Sequence, residues 1–227
     1  MIFTLFSLIS LSLCQDPAPG WLSYAAYNAP GRITKAEAKW KVPANPATDG
    51  AFWSPWLGIE SSDQLNLLQP VNPWMGSSWG AYVEYYQWQP THNFDSTMFS
   101  VQSGDVMHGT AVYNAKTSSY TMGQSVVGGT PSQSVSVDLP IQTNAYGVPK
   151  NYTIVYLVME KVWDCDQYST DGQVTFFDIA VEIDGKPIDS PKWITSYVED
   201  NCNNRAKVLN SSAIQITWDQ SMERTTM

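Results

Sequence analysis

The sequence predicts an all-β protein, one antiparallel β-sandwich of two packed curved sheets, on three observations. Apolar residues recur with period two in short segments. Those segments are rich in β-branched and aromatic residues and are separated by Gly, Pro, Asn and Ser. No segment sustains a helical period. In chain order the predicted strands begin with "ITKAEAKWKVP", where Ala36, Ala38 and Trp40 alternate with Lys and Glu, then "AFWSPWLGIE" and "GAYVEYYQWQP". Next come "TMFSVQSGDVMHGTAVYN", "YTMGQSV" and "SQSVSVDLP". "YTIVYLVMEKVW" places Tyr152, Ile154, Tyr156, Val158, Glu160 and Val162 on one side. In "QVTFFDIAVEIDGKPI" the dipeptide Asp184-Gly185 is a two-residue hairpin signal, and "AIQITW" is the last strand. "WITSYVEDN" fits helix or strand, and residues 219–227 read as a frayed tail. A length of 227 residues suits a single large all-β domain, spanning 15–218.

The first stretch, "MIFTLFSLISLSLC", is apolar, uncharged and too short to span a bilayer, so residues 1–14 read as a secretory signal peptide cut after Cys14. The expected location is the exterior or an acidic, lysosome-like vesicle, with no membrane anchoring. Cys165 and Cys202 then remain, and in an oxidising lumen they most simply pair with each other. Asn151-Tyr-Thr and Asn210-Ser-Ser are N-glycosylation acceptors in that pathway. Twelve Lys and Arg against 21 Asp and Glu give a net charge of −9, which argues against nucleic acid and anionic membrane surfaces. A monomer is expected.

Ten Trp and twelve Tyr, many within residues 52–88, suit either a sandwich core or a groove for an extended ligand. "GSSWG" (Gly76, Ser78, Gly80) matches the nucleophile-elbow pattern, but a strand follows it and the chain holds two histidines, so a turn is expected. The histidine count also argues against a zinc site, and no metal or other cofactor is expected. Carboxylates remain. Glu37, Glu60, Glu84, Glu160 and Glu182 lie in strand patterns; Glu160 is flanked by the most apolar run, and Glu84 shares its face with Tyr82, Tyr86 and Trp88. A carboxylate buried in such a strand costs several kcal/mol unless paired or hydrogen-bonded, which marks it for attention. Two carboxylates in an aromatic cleft would suit a glycosidase, although no E-x-[DE] strand pair stands out.

Several blocks, in order over about Trp21 to Phe177, resemble the eqolisin (glutamic peptidase) family. "PWLGIESSDQLNLLQPV" is similar to its W-x-G-I-[DE] followed by an L-Q pair, "VEYYQWQP" to its aromatic strand, and "FSVQSGDVM" to the strand after it. "TMGQSV" resembles its T-x-G-Q-x-V stretch, "VYLVMEKV" its glutamate strand, and "GWLSYAAY" with "AEAKWKVP" its N-terminal part. The resemblance implies a ConA-like β-sandwich endopeptidase acting on polypeptide in acid, without a cofactor. It implies Gln69 and Glu160 as the catalytic pair, and Trp56, Glu60, Tyr85 and Gln87 as substrate-cleft positions. The sequence departs from the family at Pro70-Val71, where L-Q-T-G is usual, so the turn after the glutamine is expected to differ. The first glutamate of the glutamate strand is also missing, with Val155 or Tyr156 in its place. No propeptide fits before Trp21, so latency would come from pH or compartment. Two other readings stand beside the peptidase: a carbohydrate-binding or glucan-hydrolysing sandwich, and a peptide-binding relative that does not cut.

Overall fold

Alternating side chains, punctuated by turn residues, fold this chain into strands almost throughout. The computed structural model describes residues 17–18, 20–48, 50–88, 91–160 and 164–222, so the predicted signal peptide lies outside the described residues. Strands β1 (Trp21–Asn28) and β2 (Ile33–Lys41) come first, then β3 (Phe52–Ser61), β4 (Asn66–Val71), β5 (Trp74–Met75) and β6 (Trp79–Gln87). They are followed by β7 (His92–Asp95), β8 (Phe99–Val101), β9 (Val106–Asn114), β10 (Ser119–Val126) and β11 (Ser134–Pro140). The last are β12 (Tyr152–Glu160), β13 (Gln173–Ile183), β14 (Lys186–Pro187), β15 (Ile194–Tyr197), β16 (Arg205–Asn210) and β17 (Ala213–Thr217).

Two antiparallel sheets result. The front sheet runs β15-β1-β12-β3-β4-β6-β5, with β7 and β8 also on β6; the back sheet runs β11-β10-β9-β2-β13-β17-β16, with β14 on β13. Strand β12 therefore enters the middle of the front sheet, between β1 and β3, long after both have been laid down in sequence. "WITSYVEDN", open between helix and strand, contributes β15 on the edge beside β1. Asp184 and Gly185 take φ of 49° and 78° between paired Ile183 and Lys186, the backbone a tight two-residue hairpin requires. "GSSWG" forms the turn between β5 and β6, with Gly76 at φ 85°.

The main core lies between the sheets and is built from Trp40, Trp53, Leu57, Tyr120, Tyr168 and Phe176 among others. Trp53 meets Trp79 and Trp218 edge-on, with centroids 4.9 and 5.7 Å away. A second apolar cluster, including Trp21, Trp56, Leu67, Val71, Tyr156 and Val158, draws its strand residues from the front sheet alone. It covers the face turned away from the back sheet. Along β12 the alternation departs from expectation at one point: Tyr152 packs into the main core, whereas Ile154, Tyr156 and Val158 face outward. The register with β3 shifts between Tyr152 and Ile154. A bulge adds one residue to a strand and so exchanges its faces.

Candidate active site

The outer face of the front sheet holds a cleft, and Gln69 and Glu160 both line it. Gln69 is on β4, sharing the outward face with Leu67 and Val71, and is nearly buried. Glu160 ends β12, half-buried, following Tyr156 and Val158 on that face. Trp56, fully buried on β3, donates its indole Nε1–H to Glu160 Oε2 at 2.8 Å. The indole is itself held by Trp21, 4.8 Å away edge-on, and Trp21 meets Tyr156 at 4.9 Å. These rings fix the donor, so the carboxylate at the end of a strand is oriented rather than free to turn.

Glu60 is fully buried on the same face of β3, opposite Ile154 on β12 and Leu67 on β4. Tyr85 and Gln87, assigned to the cleft through the family resemblance, occupy the other face of β6. Tyr85 belongs to the main core; its hydroxyl accepts from Asn66 Nδ2 at 2.8 Å and donates to Gln87 Oε1 at 2.6 Å. Their neighbours Glu84 and Tyr86 line the cleft in their place. A shift of one residue along a strand moves every side chain to the opposite face. The plain alternation of the segment, which grouped Glu84 with Tyr82, Tyr86 and Trp88, gives the face that the structure adopts.

Glu84 pairs across the ladder with Gln69, and Gln69 Nε2 donates to Glu84 Oε2 at 2.5 Å. On its other side Glu84 is opposite Asp95 of β7. Burial first, and then the carboxylates of Glu84, Asp95 and Glu160, push the Tyr82 phenol well up, so Tyr82 is a neutral hydroxyl in this acidic setting. Burial also raises the Asp95 carboxyl. None of the described residues lining the cleft is Lys, Arg or His.

Pro70 does not begin a turn. Strand β4 continues to Val71, and Pro70 faces the back sheet, where a Cβ on Gly109 would lie 3.0 Å from its ring. The β3–β4 register runs from Trp56↔Val71 to Ile59↔Leu68, passing over Gln69 and Pro70. Proline has no N–H to give to a ladder, and the strand tolerates it where the pairing is interrupted. Cys165 and Cys202 form a disulfide. Asn210 is exposed at the end of β16, its Oδ1 accepting from the backbone and hydroxyl of Ser212, and Asn151 is half-buried just before β12. Among the described residues no group of three or more His, Cys, Asp or Glu is placed to hold a metal ion.

The model of the peptidase A4 family matches residues 21–218. Two solved structures of scytalido-glutamic peptidase, one with a peptide-based transition state analog and one with a transition state analog inhibitor, are similar. In both, 17% of residues are identical, 88% of this chain and 98% of the other are covered, and the TM-score is 0.64. A double mutant of congerin II is similar at 12% identity over 70% of this chain and 98% of its own, with a TM-score of 0.40. Among curated proteins none matches.

Proposed function

Because the chain belongs to the peptidase A4 (eqolisin) family, we propose that it is a secreted endopeptidase that cuts polypeptide in acid, with Gln69 and Glu160 as its catalytic pair. The observation that supports this most is that one cleft receives an amide from β4 and an indole-bound carboxylate from β12. Peptide hydrolysis needs an activated water, a stabilised oxyanion and a proton for the departing amine. Ionised Glu160 takes a proton from water held between it and Gln69, and the water oxygen attacks the scissile carbonyl carbon. The Gln69 amide donates through Nε2 to the oxyanion that forms. Glu84 uses one Nε2 hydrogen, which leaves the second for this task. The tetrahedral intermediate then collapses, the C–N bond breaks, and Glu160 returns its proton to the leaving nitrogen. An acid and an amine are released and both side chains regain their starting states.

The disulfide and the two sequons support an oxidising, secretory route. The aromatic walls, Trp21, Tyr86 and Trp88 among them, suit an extended polypeptide. The test is incubation of the purified protein with acid-denatured protein at low and neutral pH. Cleavage in acid is expected to resist pepstatin and chelators, and to fall by about 10²-fold or more in Gln69→Ala, as when an oxyanion donor is removed. Glu160→Gln should abolish it. Intact polypeptide together with release of sugar from β-glucans would replace this reading with the glucanase one.

A further inference from the structure

Gln69 carries an amide whose two ends differ by one atom and one charge distribution, and rotation by 180° exchanges them with little steric change. In the catalytic reading the two ends have different tasks. One Nε2 hydrogen donates to the oxyanion, which the acceptor end cannot do. A reversed amide would turn its acceptor toward the developing negative charge. Something must therefore select one orientation.

Glu84 is placed to do this. It lies directly opposite Gln69 in the β4–β6 ladder and accepts from Nε2 at 2.5 Å, a short bond of the charge-assisted kind. An ionised carboxylate has no hydrogen to give, so it accepts the nitrogen end and repels the oxygen end. Among the described residues Gln69 Oε1 is buried with no protein hydrogen-bond partner, so no other protein contact competes for the orientation. We propose that Glu84 is a positioning residue whose ionised carboxylate locks the Gln69 amide in the orientation that catalysis uses. The inference rests on the catalytic pairing of Gln69 with Glu160.

A consequence is a dependence on pH. Protonated, the Glu84 carboxyl donates its O–H best to the amide oxygen and so favours the reversed orientation. Among the described residues the titratable groups sharing this face are Tyr82 and Tyr86 on its own strand, Asp95 on β7, Glu60 on β3, Tyr156 and Glu160 on β12, and Tyr24 on β1. Turnover then requires ionised Glu160 and is fastest with Glu84 ionised as well, so the acid limb of log kcat against pH is steeper than a single ionisation gives.

Glu84→Gln tests this, since it keeps the size of the side chain but can accept or donate. The expected result is a fall in kcat of about twofold or more, as the competent orientation drops from nearly all to about half of the population, with KM unchanged. The slope of the acid limb drops to one. Glu84→Asp keeps the charge on a shorter arm and is expected to lower kcat while keeping the steeper limb. In ¹⁵N-labelled protein, one Gln69 side-chain amide proton is expected downfield in the parent and shifted back in Glu84→Gln, a readout independent of turnover. An unchanged kcat, an unchanged slope, or a rise in KM alone in a folded Glu84→Gln protein overturns the proposal. If Gln69→Ala and Glu160→Gln are inactive in the same assay, such a result removes the role of Glu84 and leaves the catalytic pair standing. Full activity in Gln69→Ala would remove both.

Discussion

At Trp56 one side chain serves two ends. Its indole is sealed into the outer apolar cluster against Trp21, and its single N–H reaches Glu160. A hydrogen bond to a charged group contributes roughly 1.5–3 kcal/mol, so Trp56→Phe, which keeps an aromatic ring but removes the donor, is expected to lower kcat/KM by about 10-fold or more. The smaller ring should reduce stability by only about 1–2 kcal/mol. Steady-state kinetics beside thermal unfolding separate the two effects; activity lost only in proportion to unfolding would mean that the indole contributes packing alone. Gly58 adds to the same point. It lies between Trp56 and Glu60 on β3, and a Cβ there would come within 2.9 Å of the Trp56 ring and 3.0 Å of Leu67. Glycine at 58 lets the indole lie where it meets the carboxylate.

The β3–β4 hairpin delivers both Trp56 and Gln69, and its connection is latched from outside. Asp63 receives the Lys150 ammonium at 3.1 Å and the Ser61 hydroxyl at 2.6 Å. Burial raises the Asp63 carboxyl, but the Ser61 hydrogen bond and the Lys150 ammonium outweigh it and hold it below the ordinary aspartate value of 3.8. A carboxyl depressed by folding stabilises the folded state above its unfolded pKa and loses that contribution as pH falls through the folded one. The latch is therefore full above about pH 4 and fades at the acid end. Asp63→Asn is expected to cost about 1 kcal/mol at neutral pH. Lys150 is left nearly buried without its counter-charge, but Asp63 is 38% exposed and solvent screens the pair. The difference from the parent should shrink toward pH 2–3. Urea titrations at both pH values check this, and an equal loss at both would assign the effect to Ser61 and the backbone rather than to charge. Strand β6, which pairs with β4, shows how far local pattern can be read. Alternation placed Glu84, Tyr82 and Tyr86 on one face of β6 correctly, whereas matching short blocks to a family pattern moved the assignment by one residue, to Tyr85 and Gln87. A one-residue error is small in sequence and complete in a strand.

Across the whole molecule, the disulfide joins the segment after β12 to the segment that meets the start of β1. Cys202 follows Val198 and Glu199, whose backbone and carboxylate hold Trp21 and Gly20, and Cys165 follows the strand that ends in Glu160. The bridge closes a span of 37 residues and is expected to contribute roughly 3–4 kcal/mol. Reduction, or Cys165→Ala with Cys202→Ala, should lower the unfolding midpoint and weaken activity before global unfolding, because both strands that seat Trp21 and Glu160 lose their tether. Calorimetry and acid proteolysis, each with and without reductant, measure the two; identical midpoints would show that packing alone holds this end. The sequence by itself determined the β class, the turn at Asp184-Gly185, the cysteine pairing, and the identity of Gln69 and Glu160 as residues to watch. Each follows from residues a few positions apart, from two cysteines beyond the apolar N-terminal stretch, or from short blocks met in order. Only the tertiary structure decided that Trp56 donates to Glu160 across 104 residues, that Glu84 and not Gln87 faces Gln69, and that Pro70 continues a strand. Those outcomes depend on which strands become neighbours, and at what register and bulge, and that is fixed by burying two apolar clusters at once rather than by any local stretch of chain.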